Sequence, residues 1–144
     1  MSRENKFRAW YMPFGPKGAM QEMVHGKASS ILAFAEMSPD KYIVEQFTGL
    51  KDSNGNDIYE NDLVSIVPNI PSYQVIFDKG KFELSSDCLG LVYDLSEMHE
   101  IGEIVGNVHM NPKLLEVDKW HVIKLFTSLW WYKNLILSDK TKEK

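Results

Sequence analysis

The chain reads as a mainly β protein: a small barrel-like antiparallel sheet, N-terminal strands packed on it, and a C-terminal α-helix. Three observations carry that reading. Short runs of β-branched and aromatic residues alternate with turn formers as far as residue 117, which is the pattern of short antiparallel strands. Apolar residues at helical spacing are scarce before residue 118 and plain after it. Asn54-Gly55, Asp78-Lys79-Gly80-Lys81 and Asn111-Pro112 fall between the runs, where tight turns need residues that tolerate positive φ or stop a strand.

The elements follow in order. "KFRAWYM" (6–12) sets Phe7, Ala9 and Tyr11 on one strand face and Arg8, Trp10 and Met12 on the other, and "PFGPKG" turns the chain. "AMQEMV" (19–24) is the returning strand. "SSILAFAEM" (29–37) fits either a short helix capped by Ser30 or a buried strand, because a short apolar run does not separate the two. "YIVEQFTGL" (42–50), "DLVSIV" (62–67), "YQVIFD" (73–78), "KGKFELS" (79–85), "CLGLVYDL" (88–95) and "EIVGNVHM" (103–110) are strand-sized. Residues 42–112 are expected to form the barrel. From the N-cap candidate Asp118, apolar Val122, Leu125, Phe126, Leu129, Tyr132 and Ile136 recur at helical spacing, opposite Lys124, Thr127, Ser128 and Asn134. The expected organisation is a mainly β unit over residues 1–117 and an amphipathic helix with a charged tail over 118–144.

At 144 residues the chain is the size of one domain, and with 44% hydrophobic residues it can fill a core, which excludes a disordered or fibrous class. Charge is uneven. Residues 1–27 carry five Lys/Arg against two Asp/Glu, residues 28–117 five against fifteen, and residues 118–144 six against three, so a middle of net −10 lies between two ends of net +3. An acidic middle repels phosphate backbones, so nucleic acid is not the expected partner. Were it bound, Arg3, Lys6 and Arg8 with Phe7, Trp10 and Tyr11 would supply the phosphate and stacking contacts. One cysteine, Cys88, leaves no intramolecular disulfide, and "MSRENKFRAWYMPFGPKG" is broken by charge, proline and glycine where a leader would be apolar; a reducing cytoplasm is the expected compartment. Lys124 and Lys133 interrupt the C-terminal apolar run, so no membrane span is expected.

The acid-rich stretch "QFTGLKDSNGNDIYENDLVSI" (46–66) invites a calcium or catalytic reading. Counted from Asp52, Asn54 and Asn56 take ligand positions 3 and 5 of a calcium loop. Asp57, however, stands where the loop turn needs glycine, and Leu63 where a bidentate glutamate closes the shell. Asn54-Gly55 instead signals a hairpin: a two-residue turn would set Lys51 against Ile58, and a type I turn with a glycine bulge would shift that pairing by one and part Asp52 from Asp57. Asn61 is suited to a left-handed turn and Asp62 to bonding nearby backbone amides. "MHEIGE" (98–103) lacks the second histidine of a zinc helix. His25, His99, His109 and His121 are scattered singly, and Cys88 has no basic neighbour that would activate it. No catalytic, cofactor-binding or metal-ligating residue is therefore assigned, and no cofactor; an enzyme would rest on Asp57 and Glu60 alone.

"KFRAW", "QFTGLKDSNGNDIYENDLV" and "EIVGNVHMNPKLLE", in that order, resemble the YopX family of small phage and prophage proteins. The middle piece carries the family's aromatic-Thr-Gly-Leu-Lys-Asp, an Asn-Gly turn and Ile-Tyr-Glu-x-Asp before a strand, with Asn61 where the family tends to have glycine. Residues 13–41 and those after 118 carry little of the resemblance. It implies a mainly β fold and a phage or prophage origin in a host cytoplasm, and it brings no assigned activity. The expected function is a non-enzymatic accessory protein that associates with itself or with a phage or host protein; nucleic-acid binding in phage replication or regulation is the alternative.

Overall fold

The computed structural model describes residues 5–116 together with Trp130. Apart from that residue, the helix expected from residue 118 lies outside the described residues. Two antiparallel sheets carry the fold. The first, in order β2-β1-β3-β4, is built from β1 (Phe7–Tyr11), β2 (Glu22–His25), β3 (Tyr42–Lys51) and β4 (Asp57–Tyr59). The second, in order β8-β7-β6-β5-β9, is built from β5 (Asp62–Ser65), β6 (Tyr73–Asp78), β7 (Lys81–Ser86), β8 (Leu91–Asp94) and β9 (Glu103–Asn107). This second sheet curls as a half-barrel around Val64, Tyr73, Val75, Leu84 and Leu95, with Ile58 of β4 reaching into the same core. The barrel thus begins later than residue 42: β3 pairs with β1 over its first half, and the chain crosses to the second sheet only between β4 and β5.

Local chemistry accounts for the elements that sequence left open. Residues 28–37 form a helix, α1 (Ala28–Met37), whose N-cap position is Lys27 and has no side-chain cap; Ser30 sits three residues inside and does not cap it. The turn at Asn54-Gly55 is the bulged form. Gly55 N–H donates to Asp52 O (3.0 Å), Gly55 holds φ 82°, and Lys51 pairs with Asp57 rather than Ile58. That register brings Lys51 Nζ within 3.6 Å of Asp57 and removes the repulsion between Asp52 and Asp57. The strand expected over 88–95 ends at Asp94, whose carboxylate accepts from the Ser96 amide (3.0 Å) and caps the short helix α2 (Leu95–Met98). The strand expected over 103–110 ends at Asn107, because its Oδ1 accepts from the His109 and Met110 amides and curls the chain into a turn. Pro112–Leu115 is a short 3-10 helix. Among the described residues no helix is long and apolar enough to cross a membrane.

Candidate functional site

Glu60 and Asn61 alone separate β4 from β5, so the chain changes sheets in two residues. The corner requires a left-handed backbone, which Asn61 supplies at φ 66°. Every polar group of Asn61 is then used. Its N–H donates to Val75 O (2.8 Å), its C=O accepts from Val108 N–H (3.0 Å), its Nδ2 donates to Glu45 Oε2 (2.7 Å) and its Oδ1 accepts from Gln74 Nε2 (3.0 Å). The residue therefore ties β3, β6 and the turn after β9 together.

Around that corner lies a buried cluster of charge. Arg8 Nε donates to Glu45 Oε1 (2.8 Å), and Arg8 Nη2 donates to Asp62 Oδ1 (2.9 Å) and to Glu60 O (3.2 Å). Its guanidinium lies 4.7 Å from the centroid of the Tyr59 ring. Glu45 is completely buried and also meets His109 Nε2 at 2.8 Å, while Asp62 Oδ2 accepts from the Tyr59 amide (2.8 Å). Trp10 stacks on His109 at 4.9 Å and shields the cluster. Burial pushes the Glu45 carboxyl up, but His109, Arg8 and Asn61 together pull it further down, so its pKa is lowered. At Asp62 burial prevails over the Arg8 guanidinium, and its pKa is raised. The two carboxylates share one guanidinium and differ because Glu45 has three polar side-chain partners.

A second set of contacts holds the 52–56 turn against the half-barrel. Asp52 Oδ1 accepts from the Asn54 and Asn56 amides (3.0 and 2.8 Å), and Oδ2 accepts from the Ile104 amide of β9 (3.0 Å). Burial works upward on this carboxyl, yet the three amides hold it below its ordinary value. Ser53 N–H donates to Gly102 O (2.9 Å), and His99 Nδ1 meets Lys51 O at 2.7 Å. Thus His99 of the near-motif "MHEIGE" anchors the hairpin, and the acids of the supposed calcium loop orient backbone. Asp57 lies 3.1 Å from Lys6 Nζ and 3.6 Å from Lys51 Nζ, a carboxylate balanced by two ammonium groups. Among the described residues no group of three or more His, Cys, Asp or Glu is placed to hold a metal ion.

The residues named for nucleic acid are spent elsewhere. Arg8 and Trp10 are buried, the one in ion pairs and the other donating its indole N–H to Gln21 Oε1 (2.9 Å). Arg3 lies outside the described residues. Sequence reasoning missed the cluster itself, although its signal was present: Glu45 stands in the apolar run "YIVEQF" and Arg8 shares a strand face with Trp10.

Two surfaces remain apolar and open. An open concavity of about 450 Å³ lies at the β1–β2 loop, lined by Tyr11, Pro13, Phe14, Met20, Gln21 and Glu22. The other is the free edge of the half-barrel: β8 is the last strand of its sheet, and Leu91, Val92 (57% exposed) and Tyr93 are uncovered there, as is Phe77 of β6 (55% exposed).

A family model described as "YopX protein" matches residues 14–116, and so takes in the 13–41 stretch that by eye departed from the family pattern. No curated protein matches the sequence. Among solved structures, the crystal structure of protein EF1440 from Enterococcus faecalis is similar at 25% identity and a TM-score of 0.51, over 80% of this chain and 100% of that one.

Two outcomes test the structural role of the charges. Arg8→Met leaves Glu45 and Asp62 buried without their cation and is expected to lower unfolding stability by about 3–5 kcal/mol in urea titration. A loss under about 1 kcal/mol, the worth of an exposed pair, would contradict the burial argument. The second is pH dependence. Glu45 and Asp52 have folded pKa values below their unfolded ones, so the stability they add is complete above the ordinary carboxylate range and is lost as pH falls through the folded values. Asp62, raised, contributes the opposite slope just above its ordinary value. The urea midpoint is therefore expected to drop below about pH 4, and Asp52→Asn to shallow that acid limb; an unchanged limb in the variant would refute the role given to Asp52.

Proposed function

The chain belongs to the YopX family, and from that premise we propose that it is a non-enzymatic β module that binds protein, with a second copy of itself as the simplest occupant. The observation that carries this is the open β8 edge. A terminal strand presents a row of unpaired backbone donors and acceptors, and here three successive apolar side chains stand exposed beside it. Such an edge is a template for strand addition by another chain. A two-fold pair is the most economical way to cover it, because one self-complementary patch serves both partners.

The use of charge points the same way. The buried acids of the 45–62 region are bound to backbone amides, to Arg8 or to His109, and Asp57 is balanced by Lys6 and Lys51. A general base needs a carboxylate that can take and release a proton beside a substrate, and these are committed to holding strands. The family's phage or prophage setting would place the module in a host cytoplasm, as an accessory protein that assembles with itself or with a phage or host partner.

Light scattering of the full chain tests the self-association. A dimer mass is expected for the natural chain and a monomer mass for Val92→Lys, since a lysine on an exposed edge opposes strand pairing. A monomer mass for the natural chain at the highest soluble concentration would overturn the reading.

A further inference from the structure

The β8 edge is short. Two four-residue strands paired edge to edge bury far less than the roughly 1,000 Å² of a specific interface, so β8 alone cannot hold a second copy. We propose that residues 118–137 of one copy seat on the β8 edge and Phe77 of the other, so that two chains exchange these segments; the inference rests on the self-association reading and names what completes its interface.

Position is the first support. Cys88 Sγ donates to Leu115 O at 3.3 Å, and Ser72 N–H donates to Leu114 O at 3.1 Å. The described chain therefore stops beside the turn that leads into β8. Asp118 follows Glu116 by two residues, at most about 7 Å of extended chain, so the apolar stripe begins next to the strip it would cover. In an antiparallel pair the second copy's β8 lies about 4.8 Å from the first, and one exit point reaches both edges. Seated on its own copy the segment would occupy the edge that the second copy needs, whereas seated on the second copy it adds area to that contact.

Chemistry is the second support. Val122, Leu125, Phe126, Leu129, Tyr132 and Ile136 make an apolar stripe, and twenty residues in helical form run about 30 Å, longer than the five-stranded sheet is wide at about 4.8 Å per strand. Trp130, beside the stripe, is exposed. Charge is complementary as well. Residues 118–144 carry net +3 and residues 28–117 net −10, with exposed Asp87 before β8 and Asp94 at its end.

The chain's one cysteine supplies the test. Cys88 is exposed and lies next to the proposed seat, so a benzophenone maleimide can be attached there on the full chain. Equal amounts of unlabelled and nitrogen-15-labelled chains are mixed, irradiated and digested, and crosslinked peptides are read by mass. Crosslinks from Cys88 to 118–137 that join the two isotopes are expected, together with at least a tenfold weaker dimer for full-chain Phe126→Asp. Crosslinks within single isotopes only, or a Phe126→Asp dimer as tight as the natural one, would overturn the exchange while leaving self-association standing. A monomeric natural chain would instead sink the self-association reading, and the exchange with it.

Discussion

The two-residue crossing at Glu60 and Asn61 constrains the rest of the molecule. A chain that passes from one sheet to another in so short a corner turns sharply, and its backbone polar groups leave both ladders at once. Unsatisfied, each would cost about 1–3 kcal/mol. Asn61 meets the requirement alone, with a left-handed backbone and four hydrogen bonds to three separate segments. Its side-chain amide in turn needs a fixed acceptor, and Glu45 is that acceptor. A buried carboxylate needs a cation, and Arg8 provides it while also holding Asp62. Corner, acid and guanidinium thus form one dependency: β1 supplies the charge that lets β3 hold the turn between β4 and β5.

Magnitudes show what such a cluster contributes. Moving charges out of water costs several kcal/mol per ion, and their attraction only roughly returns it, so the pairs add little net stability over an apolar replacement. What they add is selectivity among arrangements. Any other register of β1 on β3 would leave Arg8, Glu45 and Asp62 buried without partners, a penalty that a hydrophobic interface of similar area would not impose. The opposite pKa directions of Glu45 and Asp62 reflect the same economy, since one guanidinium does not fully compensate two buried carboxylates.

Much of this fold was legible in the sequence because local rules decided it. Asn54-Gly55 marked the hairpin, and Asn61 and Asp62 carried their expected turn roles. Of the two turn forms, the structure takes the one in which Lys51 meets Asp57, a choice made by cross-strand charge. Residues 28–37 were ambiguous because ten apolar-rich residues satisfy helix and strand alike, and contacts with β1 and β3 decide for the helix. The charged cluster was illegible for a different reason. Arg8 and Glu45 are 37 residues apart, and a basic residue flanked by aromatics looks the same in sequence whether it awaits a phosphate or a buried carboxylate.

A scaffold joined at its corner has a consequence for binding: the β8 edge is presented by a half-barrel that cannot slide on the first sheet without breaking the Arg8 cluster. Native-state hydrogen exchange on the natural chain measures that coupling most directly. Amides of β3 in the first sheet and of β6 in the second are expected to open with one common free energy, and the Asn61 and Val108 amides at the corner with the same value. Separate opening energies for the two sheets, with the corner amides following only one of them, would contradict the claim that the buried Arg8–Glu45–Asp62 cluster joins them.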